Sequence, residues 1–201
     1  MANTTAPLTE VDVANMAATT LDEGELTSLD DHGTLGSFMR TNFGPARDEL
    51  LYSQPWAFAK AQEWLAEHSE PPKFGYSRRF RLPSDCVRPL PLREGGRHNG
   101  RPINFERFGD FIHTDARGPL PLVYIRRETN PAWWSPPFAR CLGQYLALLA
   151  AQRITGKAGY VDKAERLFNL AMQNAVMNNA LDYGTPESQY REDVHDVRLG
   201  G

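Results

Sequence analysis

The spacing of apolar residues changes twice along this chain, dividing it into three zones. In the first, apolar positions recur at helical intervals. Thr9 and Asp12 are placed as a capping box ahead of a short face of Val11, Val13, Ala14 and Ala17. Residues 24–33 read as a loop, and a second helix is predicted from about Thr34 to Tyr52 on Leu35, Phe38, Met39, Phe43, Ala46 and Leu50. Gly44-Pro45 lies inside it and predicts a kink or a split, because proline removes a backbone N–H and crowds the preceding turn. Pro55 suits the first turn of a third helix, predicted over about 55–67 with Trp56, Ala57, Ala61, Trp64 and Leu65 buried and Pro71-Pro72 ending it.

From residue 74 to 127 the helical period disappears. Short runs bounded by Pro, Gly and Asn replace it: Tyr76–Leu82, Val87–Leu92, Ile103–Phe108, Asp110–Thr114 and Pro121–Arg127. Gly95-Gly96, Asn99-Gly100 and Gly109-Asp110 are turn dipeptides between them. The pattern predicts a small antiparallel sheet of hairpins, with prolines at strand ends or edges. Helical spacing then returns. Ser135 caps and Pro136 opens a helix with an apolar stripe of Phe138, Cys141, Leu142, Tyr145, Leu146 and Leu149, ending near Gly156. A last helix from about 158 to 180 places Tyr160, Ala164, Leu167, Phe168, Ala171 and Ala175 on one face. The fold class is therefore α+β: helical segments at 1–73 and 128–182, a β-hairpin domain at 74–127, and an extended polar tail at 183–201 that keeps Tyr190, Val194, Val197 and Leu199.

Composition narrows the classes. With 201 residues, 41% hydrophobic and 23% charged, the chain is globular and long enough to bury a core without metal or disulfides. Two cysteines, Cys86 and Cys141, are too few for a disulfide framework. The N-terminal residues lack a basic n-region and an apolar h-region, so no signal peptide is expected. The longest apolar run, Tyr145 to Ala151, is far too short to cross a membrane, so none is expected as a partner. The net charge of −3 conceals an asymmetry. Residues 1–77 carry 4 basic and 12 acidic side chains, residues 78–127 carry 11 arginines against 5 acids, and residues 128–201 carry 7 against 8. Such a distribution suits nucleic-acid contact, a subunit with complementary edges, or a sheet whose exposed faces use Arg.

Candidate chemistry is sparse. No phosphate-loop, dinucleotide-binding, zinc-protease, serine-hydrolase or paired-cysteine motif is present. Cys86 and Cys141 read as buried small hydrophobes rather than reactive thiols. The five histidines, at 32, 68, 98, 113 and 195, form no pair at helical ligand spacing. Asp30-Asp31 and Glu192-Asp193 are paired acids of the kind found at magnesium-dependent nuclease centres, and equally of the kind found in solvated loops. Trp133-Trp134, between prolines, reads as one ring anchoring the following helix and one meeting a partner; a ligand-stacking platform is the alternative. No catalytic, metal or cofactor residue is assigned.

The order of segments resembles the tail tubular protein A family of short-tailed bacteriophages and prophages, the gatekeeper or head-to-tail adaptors. The resemblance runs over about residues 10–180 and rests on a set of motifs in order. An A-R-D-x-L-L step and P-W-x-F-A are matched by Ala46, Arg47, Asp48, Leu50, Leu51, Pro55, Trp56, Phe58 and Ala59. F-G-Y and L-P-x-D-C-x-R are matched by Phe74, Gly75, Tyr76, Leu82, Pro83, Asp85, Cys86 and Arg88. Y-I-x-R-x-T-x-P and a terminal I-T-G are matched by Tyr124, Ile125, Arg127, Thr129, Pro131, Ile154, Thr155 and Gly156. Gly44-Pro45, the basic loop EGGRHNGR at 94–101 and Trp133-Trp134 depart from the family pattern.

What the resemblance implies is an antiparallel helical bundle with an inserted antiparallel β-domain, in a non-enzymatic virion component. It would form a ring, a dodecamer in relatives, under the portal, continue the channel for genomic DNA and seat a tail nozzle of the tail tubular protein B kind. It would reside in the virion neck, and in the host cytoplasm during assembly. The resemblance makes Leu82-Pro83-x-Asp85-Cys86 a scaffold corner in which Asp85 caps the turn and Cys86 points inward. Arg78, Arg79, Arg81, Trp133 and Trp134 are the partner-binding candidates, together with Tyr190, Val194, Val197 and Leu199 in a tail reaching toward the portal. The competing expectations are a nucleic-acid-binding protein using the Arg-rich β-domain and a metal-dependent nuclease.

Overall fold

The capping box opens the first helix. In the computed structural model, which describes residues 6–155 and 158–182, Thr9 Oγ1 accepts from the Asp12 N–H at 3.2 Å and Asp12 Oδ2 accepts from the Thr9 N–H at 2.8 Å. Helix α1 (Glu10–Thr20) follows, with Val13, Ala14 and Ala17 fully buried. Helix α2 (Thr34–Ser53) runs unbroken through Pro45, so the expected split does not occur. Phe43 and Ala46, on either side of the proline, are both buried, and that packing holds the two halves as one element against proline's poor helix propensity.

Residues 55–67 depart from expectation. In place of a third helix, a single 3-10 turn (Ala57–Ala59) leads into strand β1 (Lys60–Leu65). The segment's Lys, Ala, Gln, Glu and Leu favour helix locally, but it pairs antiparallel with β6 (Leu120–Arg126) over its whole length, from Lys60 opposite Ile125 to Leu65 opposite Leu120. Strand alternation then points Trp64 away from the core, where it is 59% exposed, while Leu65 is buried. Tertiary pairing overrides propensity here. The β region thus begins at Lys60, ahead of residue 74.

Four further strands follow β1: β2 (Arg78–Arg81), β3 (Cys86–Pro89), β4 (Glu106–Phe108) and β5 (Phe111–Thr114). They form with β1 and β6 two antiparallel three-stranded sheets, ordered β1-β6-β3 and β2-β5-β4. Each lies within or beside its predicted run. Gly109, at φ 58°, opens the two-residue connection of β4 to β5, the backbone conformation that the Gly-Asp dipeptide suggests. Helix α3 (Pro136–Ala150) continues as a π-helical turn over Ala151–Thr155, and α4 (Ala158–Asp182) closes the described chain. Ser135 occupies the cap position of α3, but its side chain makes no capping bond; its carbonyl accepts from Ala139. The protein is α+β, with four α-helices and two small antiparallel sheets among the described residues.

Two apolar cores result. One gathers α1, α2, α3 and the inner face of α4, with Trp56, Ala59 and Ile125. The other lies within the β region around Phe80, Ile112, Leu120 and Leu122. Strand β6 serves both: Leu120, Leu122 and Tyr124 face the second core, while Ile125 faces the first. The α4 face is narrower than expected. Ala164, Ala171 and Ala175 are buried and Tyr160, Phe168 and Met172 pack partly against the core, but Leu167 turns toward solvent. No helix among the described residues is long and apolar enough to cross a membrane.

Candidate interaction surfaces and the helix–sheet junction

Residues that are far apart in sequence meet where the helices join the sheet. Arg47, on α2, sends Nε and Nη2 to Asp48 Oδ1 at 2.9 and 2.8 Å, and its Nη1 lies 3.9 Å from Glu10 on α1. The other oxygen of Asp48 pairs with Arg127 Nε at 2.8 Å, just past the end of β6. Asp85 then takes the Arg127 N–H on its carbonyl at 2.7 Å, and its carboxylate accepts from the Tyr124 hydroxyl at 3.2 Å. Asp85 therefore ties the corner to β6 through its side chain. The turn itself closes through the backbone, with the Cys86 N–H donating to the Pro83 carbonyl at 3.0 Å. Beneath these bonds Trp56 donates its indole N–H to the Leu50 carbonyl at 2.6 Å and meets Phe138 edge-on with centroids 5.1 Å apart.

The two tryptophans before α3 part company. Trp134 is buried, donates to the Glu128 carbonyl at 3.0 Å and packs on Phe43 and Phe138. Glu128 is itself buried, paired with Arg126 and accepting from the Asn130 N–H at 3.0 Å. Trp133 is 65% exposed. One ring anchors the helix and the other is presented outward, as the sequence suggested.

The arginines of β2 are less free than their number implies. Arg78 Nε pairs with Glu67 at 3.2 Å and its Nη1 reaches the Asp115 carbonyl at 2.9 Å. Arg79 pairs with Glu70 at 2.6 Å and lies over the Phe111 ring at 4.8 Å. Both clamp the segment after β1 onto β2, which makes them structural clasps on a half-exposed surface, where such pairs contribute little. Arg81 is exposed and lines a depression with Arg107, Asp110 and Arg127 beside Cys86. Tyr190, Val194, Val197 and Leu199, with Glu192-Asp193, lie outside the described residues.

The thiols are packed. Cys141 lies on the buried face of α3, its Sγ 3.6 Å from Met172 Sδ on α4. Burial pushes its thiol up to about 12 from an ordinary 9.0. Burial likewise raises Cys86 to about 11, with Asp85 adding to the effect and Arg107 opposing it. Burial also raises the Tyr124 phenol to about 12, helped by the neighbouring Asp85 carboxylate. An unfolded chain would release these protons first, so their contribution to stability is complete below about pH 9 and is lost as pH climbs through 11 to 12. Thermal melts by circular dichroism should accordingly hold level up to about pH 9 and decline above it, and native thiols should react with a maleimide far more slowly than denatured ones. Prompt native labelling of both cysteines at neutral pH would contradict this packing.

Asp31 sits in a local turn, accepting from the Thr27 and Ser28 N–H groups at 2.6 and 3.2 Å, and those bonds hold its carboxyl below the usual range. Among the described residues no group of three or more His, Cys, Asp or Glu is placed to hold a metal ion.

Sequence reasoning missed two asparagines that do structural work. Asn15, on α1, exchanges both amide bonds with Leu26, pinning the loop after the helix. Asn179, on α4, accepts from the Ala57 N–H at 2.8 Å and so ties the last helix to the turn that launches β1. Asn179 falls four residues after Ala175 on the inward face, the signal that could have found it. Neither protein-family models nor curated proteins provide a match to this chain.

Proposed function

We propose that the protein is a structural, non-enzymatic adaptor subunit that forms a ring between a phage portal and its tail nozzle and continues the DNA channel. In this reading the four helices make an antiparallel bundle and the β region is its inserted domain. The supporting observation is the junction. Asp48 of the A-R-D step pairs with Arg127 of the Y-I-x-R step, while Tyr124 of that step holds Asp85 of L-P-x-D-C. The motifs that carry the resemblance are thereby joined by direct bonds, as expected of a scaffold whose purpose is shape. A ring also needs different surfaces on its two flanks, and exposed Trp133 is a candidate for one of them.

The test is assembly. The full chain alone should elute as a monomer of about 22.6 kDa in size exclusion with light scattering, and should coat one end of an assembled portal ring from the same phage or prophage. Trp133→Ala should leave the melting temperature within about 2 °C, since exposed substitutions away from packed features change stability by about 0.5 kcal/mol or less, and should weaken that coating. Absence of any portal complex with the full chain would sink the adaptor reading.

A further inference from the structure

The basic loop at 94–101 has no part in the junction, yet it is built rather than loose. Arg93 bridges Pro102, the Glu94 N–H donates to the Arg101 carbonyl at 2.9 Å, and the Gly100 N–H donates to the Arg97 carbonyl at 2.9 Å. Gly95 and Gly96 take left-handed backbone, at φ 63° and 66°. A Cβ on Gly100 would stand 2.4 Å from the Glu94 carbonyl oxygen, so only glycine closes the loop. A Cβ on Gly96 would stand 3.3 Å from Pro121 Cβ: the loop is laid against the outer face of β6.

Between the loop and that sheet face run two adjoining depressions of about 380 and 400 Å³, sharing Gln62, Gly96, Pro121 and Val123. The first is lined by Lys60, Arg93, Arg97 and His98 and by no carboxylate. The second is lined by the exposed Trp64, with Glu63 its only acid. The contrast with the rest of the β region is informative. Arg78, Arg79, Arg126 and Arg127 are each paired with a carboxylate, whereas Arg93 and Arg97, which line the groove, make no ion pair among the described residues. Two arginines without ion pairs, Arg93 and Arg97, thus line a depression that holds no carboxylate, and an outward indole adjoins it.

We propose that the groove binds single-stranded nucleic acid, with phosphates on the cationic half and a base stacked on Trp64. A groove that pairs cations for the backbone with an aromatic face for a base is how sequence-tolerant single-strand binding is achieved. A duplex, whose bases are stacked on one another, offers Trp64 no face. The site stands independently of the adaptor reading.

Its test is fluorescence anisotropy of a labelled oligothymidylate of about 12 nucleotides, a length within known site sizes. The full-length chain is titrated, with a duplex of equal length as comparison. Three neutralised phosphates would make affinity fall roughly 20-fold between about 50 and about 200 mM salt. Arg97→Glu reverses an exposed charge that carries no ion pair and should weaken binding at least about tenfold at the lower salt, where phosphate contacts supply most of the affinity. Trp64→Ala should weaken it by about fivefold or more, with melting temperature unchanged, as loss of one stacked base requires. No binding at the lower salt, or binding indifferent to both variants, overturns the site. Equal affinity for duplex with a neutral Trp64→Ala overturns the single-strand assignment. A chain that coats the portal but ignores the oligonucleotide loses this site alone, and the reverse result loses the adaptor reading alone.

Discussion

Trp56→Ala should lower stability by about 3–5 kcal/mol, the cost typical of emptying a large aromatic site in a core. Trp56 is fully buried, and its ring contacts Phe58 and Phe138 at centroid distances of 6.3 and 5.1 Å. It lies between the end of α2 and the start of β1, so the cavity would open where helical and β regions join. Domains of this size hold about 5–15 kcal/mol in total, so the variant would spend a large share of it. The melting temperature should drop by about 6–20 °C. Trp56→Phe is the sharper comparison. It keeps one aromatic ring but removes the indole N–H and part of the bicycle, while the Ser53 hydroxyl still donates to the same Leu50 carbonyl at 2.8 Å. It should cost about 1–2 kcal/mol, near the net value of one hydrogen bond plus a small void. Equal losses for the two variants would mean that ring packing is not what Trp56 supplies.

Gly143→Ala should destabilise the protein although alanine is the better helix former by about 1 kcal/mol. Gly143 lies within α3 at its crossing with α1, and a Cβ there would stand 2.8 Å from Met16 Cβ and 3.1 Å from the Val13 carbonyl oxygen. Neither obstacle is a flexible side-chain end, so α1 itself must move outward. Overpacking of this kind costs about 1–3 kcal/mol, enough to outweigh the propensity gain. Gly143→Val should cost more. Its extra methyls also strain the Thr20 to Gln144 hydrogen bond, 3.1 Å, one turn along the same contact. Amide exchange should then accelerate first in α1. A higher melting temperature for Gly143→Ala would show that the two helices do not approach this closely.

Much of the fold was legible because its patterns were local. The α1 capping box, the hairpin dipeptides and the stripe of α3 all declare themselves within a few residues. Strand β1 was not legible for a definite reason: Lys60–Leu65 has no β-branched residue, and its apolar spacing fits a helix until β6 is brought alongside. Pro45 acts in the opposite sense: of the kink or split that local chemistry allows, buried neighbours prevent the split. The interaction surfaces were legible only in part. That one of the two tryptophans would be buried was legible, because a helix start can bury only one of two adjacent rings. That it would be Trp134 was not, since the sequence also offered that residue as a partner-binding candidate. Eleven arginines counted in sequence, however, could not reveal which ones carboxylates from distant segments had already claimed.

Because β6 lends Leu120, Leu122 and Tyr124 to one core and Ile125 to the other, neither can come apart while the other stays closed. Opening the β region would strip Ile125 from the helices, and withdrawing the helices would unseat the strand on which Lys60–Leu65 and Cys86–Pro89 both hang. The chain should therefore melt in one calorimetric transition, with calorimetric and van't Hoff enthalpies equal. The slowest-exchanging amides should lie along β6 itself. A pull delivered to one region would be felt in the other without a hinge between them, the behaviour of a rigid strut.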